Sequence, residues 1–144
     1  LPSNKLTILL VDDDGVDAEA VERAFRKADV STPLVVASDG VEALEKLRGT
    51  DGSPPLPRPL VILLDLNMPR MNGIEFLDEL RADPALRDHV VFVLTTSDDN
   101  RDKIAAYQRQ VAGYLVKSNV GHNFTQLINL LQHYEDLIEM PPAQ

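Results

Sequence analysis

The sequence predicts an α/β fold, a doubly wound five-stranded parallel sheet, and three features predict it. Five short continuous apolar runs recur along the chain, amphipathic helical patterns separate them, and four of the five runs lead directly into polar residues. Continuous apolar runs suit strands buried on both faces. Their alternation with helices calls for a parallel sheet covered on both sides, with right-handed crossovers.

The elements follow in order. Leu6–Val11 (LTILLV) is the first strand, rich in branched residues. A helix over Asp17–Ala28 places Ala18, Val21, Phe25 and Ala28 on one stripe. Pro33–Ala37 is a weaker second strand, and Asp39 is an N-cap candidate for a helix carrying Val41, Leu44 and Leu47. Gly49–Pro59 holds four of the ten prolines and reads as a stiffened surface loop, an insertion rather than a linker, because too little sheet precedes it to form a domain. Leu60–Leu64 is the third strand. Ile74, Leu77 and Leu80 stripe the next helix, which Asp83-Pro84 ends. Val90–Leu94 is the fourth strand, and Ile104, Tyr107 and Val111 are expected on the inner face of the fourth helix. Tyr114–Val116 is the last strand, and a long helix from about His122 to Ile138 closes the chain, stopped by Pro141-Pro142.

Composition narrows the function. The 144 residues correspond to a single domain, 1–144 with a core of about 6–138, and 44% hydrophobic with 26% charged residues argues against disorder. A net charge of −9 with no basic cluster argues against nucleic acid. The absence of cysteine excludes disulfides, thiolate metal sites and a Cys nucleophile. No segment approaches the ~20 apolar residues of a membrane span. No leader or transit pattern is visible, so the cytoplasm is the expected compartment.

Ligands of such sheets bind beyond the carboxyl ends of the strands. Asp12, Asp13 and Asp14 follow the first run, Asp65 the third, Thr95 and Thr96 the fourth, and Lys117 the fifth. Topology gathers these ends on one rim. Asp12, Asp13 and Asp65 then form a carboxylate cluster whose mutual repulsion calls for a cation, and oxygen donors without His or Cys suit a hard ion such as Mg²⁺. Taken alone, Asp12–Asp14 could simply cap a helix, Thr95 could satisfy local backbone, and Lys117 could face solvent. Their convergence is what points to a site, although Asp14 can still be only a turn residue. Asp65, ending an apolar strand, can serve as metal ligand, nucleophile or both, and a carboxylate nucleophile can form an aspartyl-phosphate. Thr95 can donate to a phosphoryl oxygen, and Lys117 can neutralise it as a mobile charge.

These residues resemble a known family. ILLVDD (Ile8–Asp13), LLDLNMPRMNG (Leu63–Gly73), VLTTS (Val93–Ser97) and GYLVK (Gly113–Lys117) are similar to the receiver domain of two-component response regulators, over roughly Leu6 to Ile138. The resemblance implies a (βα)5 flavodoxin-like receiver fold with strand order 2-1-3-4-5. It implies Asp65 as phosphoacceptor, Mg²⁺ held by Asp13 and Asp65 directly, by Asp12 through water and by the Asn67 backbone carbonyl, and Thr95 and Lys117 on the phosphoryl group. Tyr114 resembles the switch aromatic that turns inward as Thr95 moves. Asn67, Thr96 and Ser97 border the site and are expected to tune phosphoryl lifetime. The implied donor is a sensor histidine kinase or a histidine phosphotransfer protein.

Three departures stand out. Lys117-Ser118 replaces the usual Lys-Pro; a non-proline cis bond costs about 2.5–4 kcal/mol, so a trans bond is expected. Gln110-Val111 stands where a Gly-Ala usually ends the fourth helix. Asp13 and Asp65 lie 52 positions apart, lengthened by the Pro-rich loop.

After the last helix there is no room for an output domain, so a stand-alone receiver is expected, or one cut from a longer chain, signalling through a changed surface or assembly. The apolar residues of that helix cover about half its cylinder, more than one sheet face needs, with Leu130, Tyr134 and Leu137 as the surplus. Such a patch suggests a homodimer or partner surface. The Pro-rich loop, the Leu-Thr-Thr-Ser run, Asp83–Leu86 and the Pro-Pro ending resemble phytochrome-associated single-domain regulators, which implies a kinase of phytochrome type. A turnover phosphatase of haloacid-dehalogenase type would need an acid where Asn67 stands, so a phosphoacceptor rather than an enzyme is expected. The alternative is a phosphorylation-independent dimeric binding module, which the intact Asp12, Asp13, Asp65, Thr95 and Lys117 set argues against.

Overall fold

The computed structural model describes residues 6–120 and 124–142. Five parallel strands, β1 (Thr7–Val11), β2 (Leu34–Ala37), β3 (Leu60–Leu64), β4 (Val90–Thr95) and β5 (Gly113–Val116), alternate with α1 (Gly15–Lys27), α2 (Gly40–Arg48), α3 (Gly73–Ala82), α4 (Asn100–Tyr107) and α5 (Thr125–Leu137). The sheet order is β2-β1-β3-β4-β5. β1 pairs with β3 from Thr7–Leu60 to Val11–Leu64, and β3 pairs with β4 from Val61–Val90 to Leu64–Val93. The doubly wound topology is the one the apolar runs and the resemblance imply.

Every residue of β1 and β3 is buried, which is why these strands read as unbroken apolar runs. Alternate residues serve opposite layers. Leu9, Val11, Ile62, Leu64 and Val93 pack against Leu44 and Leu47 of α2 and Phe76, Leu77 and Leu80 of α3. Ile8, Leu10, Val61, Leu63 and Leu94 pack against Val21 and Phe25 of α1 and Leu127, Ile128 and Leu131 of α5. The edge strands β2 and β5 are only partly buried, in keeping with their shorter apolar runs.

Side chains fix the helix starts. Asp14 accepts from the Val16 and Asp17 N–H groups at α1, Asp39 from Glu42 N–H at α2, and Asp99 from Arg101 N–H at α4. Asn72 and Glu75 form a reciprocal capping box at α3. Gly49 ends α2 in the left-handed region, and the Pro-rich loop that follows packs Leu56 onto the α2–α3 layer and hands Pro59 O to the Thr7 N–H.

Three expectations change. Ile104 and Tyr107 do not face inward; they are 59% and 52% exposed, and Ala106 is the buried residue of α4. The helix rotates its small face onto the protein, so the 3–4 spacing marks an exposed apolar strip. The last helix is shorter than the His122–Ile138 reading: α5 spans Thr125–Leu137, so it ends before the two prolines, and His122 lies outside the described residues. Of the apolar surplus on α5, Leu130 and Tyr134 pack partly onto the α1–α5 layer, Tyr134 edge-on to Phe92, while Leu137 is 77% exposed.

Candidate functional site: an acidic rim at the strand ends

The sheet's hydrogen bonding continues one residue past the strands. Asp12 N–H donates to Ala37 O at 3.0 Å, and Asp65 N–H donates to Val11 O at 2.9 Å. Each aspartate is thus pinned to the sheet by its own backbone. Asp12 and Asp65 are buried and Asp13 is exposed, with one carboxylate oxygen from each lying within 4.8 Å of the others.

Two neighbouring strands supply the remaining groups. Thr95 Oγ1, fully buried, donates to Asp65 Oδ1 at 2.8 Å. Asn67 N–H approaches the same oxygen at 3.3 Å. Lys117 Nζ donates to Asp12 Oδ2 at 2.8 Å and stands 3.8 Å from Asp65 Oδ2. The structure therefore brings Asp12, Asp13, Asp65, Asn67, Thr95 and Lys117 to one rim. Asp14 points to the α1 cap, as a turn residue would.

The electrostatics are those of crowded charge. Burial pushes the Asp12 carboxyl above its ordinary value, against the opposing pull of its hydrogen bonds from Lys117 and the Asp14 N–H. Burial works to lower the Lys117 ammonium, but hydrogen bonds to Asp12 and Asp17 outweigh it and hold the group well above the usual lysine range. The lysine is a fixed cation at any physiological pH. It is a single charge among several carboxylates, and three converging oxygen donors of this kind fit a hard divalent ion.

The sequence reading missed three contacts. Asp17, in the first turn of α1, accepts from Lys117 Nζ at 2.7 Å. Arg70, with φ of +61°, grips the buried Asp39 cap through Nη2 at 2.6 Å and so ties the β3–α3 loop to α2. The Arg81 guanidinium donates to the carbonyls of Arg87, His89, Arg109 and Gln110. Gln110 adopts φ of +58°, the left-handed conformation a glycine would take, and Arg81 holds it there from its carbonyl side.

The loop beside Asp65 is shaped by sterics. A Cβ on Gly73 would lie 2.6 Å from the Asp65 carbonyl oxygen, so the helix can approach the strand end only with glycine there. The Lys117–Ser118 bond is trans, Arg58–Pro59 being the cis bond among the described residues, and Lys117–Asn119 forms a 3-10 turn. Tyr114 is half-buried; its hydroxyl donates to Ser97 O at 3.0 Å, two residues beyond Thr95.

Residues 8–129 match the family model of the response regulator receiver domain. The chain belongs to that family. Response regulator Rcp1 of Synechocystis sp. (strain ATCC 27184 / PCC 6803 / Kazusa) is 37% identical over 140 residues, covering 94% of this chain and 93% of Rcp1. The Mn²⁺-bound form of Rcp1 superposes with a TM-score of 0.79 at 32% identity, over 96% of this chain and 99% of that one. The phosphorylated cyanobacterial phytochrome response regulator RcpA superposes with a TM-score of 0.79 at 30% identity, over 96% and 99% of the two chains. As a response regulator receiver, the protein is a member of a phosphoacceptor family whose partners are histidine kinases. No helix among the described residues is long and apolar enough to cross a membrane.

Proposed function

We propose that Asp65 takes a phosphoryl group from a phosphohistidine of a sensor kinase of phytochrome type, or of a histidine phosphotransfer protein, in the cytoplasm. The observation that carries this reading is Asp65 itself: a buried carboxylate with Thr95 on one oxygen and Lys117 near the other, inside an oxygen-only cluster. The phytochrome assignment draws on the likeness to Rcp1 and RcpA.

An Asp65 carboxylate oxygen attacks the phosphorus, the P–N bond to the donor imidazole breaks, and the imidazole nitrogen keeps the electron pair. The acyl phosphate that forms carries its charge on oxygens that Thr95 and Lys117 can meet. Asp12, Asp13, Asp65 and the Asn67 carbonyl would hold Mg²⁺, which supplies neutralisation of the transferring phosphoryl charge. Thr95 donates its hydroxyl proton in a hydrogen bond and keeps it. Burial of Thr95 and Asp65 restricts water at the carboxylate. The protein is a reactant in this scheme and not a turnover catalyst.

Tyr114 is the element that reads the change. Its hydroxyl rests on the segment that follows Thr95, so a shift of Thr95 towards a phosphoryl group disturbs its hydrogen bond to Ser97 O. A homodimer through the exposed end of α5, with Leu137 as its outermost residue beside Leu130 and Tyr134, would carry the output.

The test is labelling with acetyl phosphate and Mg²⁺, followed by intact-mass analysis. Wild-type protein is expected to gain one acid-stable, base-labile phosphoryl group, and Asp65→Asn none. Persistent labelling of Asp65→Asn would remove Asp65 from the role.

A further inference from the structure

Lys117 is shared unevenly. Its ammonium has three donors, and its shortest contact, 2.7 Å, is to Asp17 Oδ2 on α1. The contact to Asp12 is 2.8 Å and that to Asp65 is 3.8 Å. Asp17 is not among the three carboxylates that converge as a possible cation cluster. It therefore draws on the lysine without belonging to that cluster.

The geometry sets up a competition. The Lys117 side chain is only 9% exposed, so little water is available to replace a lost partner. A phosphoryl group on Asp65 would be a further acceptor for this ammonium, in competition with the carboxylates already bonded to it. The tighter Nζ is held by Asp17, the less of its charge is left for that new acceptor. Asp17 also places a negative charge near the incoming phosphoryl oxygens.

We propose that Asp17 is a positioning residue that holds Lys117 in a resting place on α1 and so weakens the site's hold on a phosphoryl group. The inference rests on the phosphoacceptor reading of Asp65 and adds a regulator of that site. Asp17 lies in the first turn of α1 with its side chain 31% exposed, so it can be changed without altering the three cluster carboxylates themselves.

Beryllofluoride binding, followed by ¹⁹F NMR at saturating Mg²⁺, tests this in the full chain. Asp17→Asn and Asp17→Ala are expected to bind the mimic roughly 3- to 10-fold more tightly than wild type, the strength of one partly exposed charge-assisted contact. Asp17→Glu, which restores the carboxylate, is expected to return towards the wild-type value. Equal or weaker binding by both neutral variants would overturn the role of Asp17 and leave the phosphoacceptor reading standing. Failure of the wild-type protein to bind the mimic would overturn that reading, and this inference with it.

Discussion

Thr95 and Asp65 share a buried hydrogen bond, 2.8 Å from hydroxyl to carboxylate, between the ends of two adjacent strands. The bond orients the carboxylate before any phosphoryl group arrives. Thr95→Val keeps the shape but removes the donor, leaving the longer approach of the Asn67 N–H as the contact to Asp65 Oδ1 among the described residues. Initial rates of phosphorylation by acetyl phosphate are expected to fall about 10-fold, the scale of one charge-assisted hydrogen bond. Thr95→Ser is expected to retain most of the rate. A valine variant as fast as wild type would show the hydroxyl to be dispensable.

Lys117→Met leaves Asp12 buried without its cation. Breaking a buried pair from one side costs about 3–5 kcal/mol, so the variant is expected to melt well below wild type in chelator. Added Mg²⁺ is expected to raise its melting temperature by more than it raises that of wild type, since a cation then meets less competition. Equal metal-induced shifts, read by differential scanning calorimetry, would contradict this.

Gly73→Ala forces a methyl group against the Asp65 carbonyl and Leu66 Cα. Overpacking of this kind costs about 1–3 kcal/mol. Chemical denaturation should show that loss, together with slower phosphorylation, because the strain falls on the backbone of Asp65 itself.

His89 is buried at the start of β4, and burial first, then the positive charge of Arg58, holds its imidazole down at about 4. Asp88 opposes the shift and Arg81 reinforces it. The unfolded chain binds this proton near pH 6.5 and the folded chain only near pH 4, so the unfolded state binds more protons between them. The stabilisation is complete above about pH 6.5 and is lost as pH falls to about 4, amounting to roughly 3 kcal/mol at most. Urea melts of wild type and His89→Gln at pH 7 and pH 4.5 should show a smaller pH dependence in the variant.

Leu137→Asp places a charge at the most exposed apolar residue of α5. If α5 pairs two copies, light scattering should report a lower mass for the variant at the same concentration, with phosphorylation by acetyl phosphate unchanged. An identical mass in both proteins would move the assembly surface elsewhere.

Much of this structure is legible in the chain because burial on two faces leaves little choice of residue. β1 and β3 are apolar throughout, so their limits and the polar residues beyond them stand out, and Asp12, Asp65, Thr95 and Lys117 follow directly. α4 is ambiguous in the sequence for a physical reason: a short helix over the sheet edge needs only Ala106 inside, and an apolar strip at helical spacing looks the same whether it faces inward or outward. Asp17 was hidden because acids are favoured in the first turn of any helix. Arg81 was hidden because its reach to four carbonyls depends on tertiary placement, which spacing does not encode.

The anchoring of Tyr114 sets a scale for how firmly the resting protein is at rest. The neutral hydrogen bond to Ser97 O contributes about 0.5–1.5 kcal/mol net, a factor of roughly 2 to 13 towards the anchored rotamer. That contribution is small enough for a local shift beside Thr95 to offset. On the proposed switch role, modification then has only to shift an equilibrium of that size rather than build a new conformation.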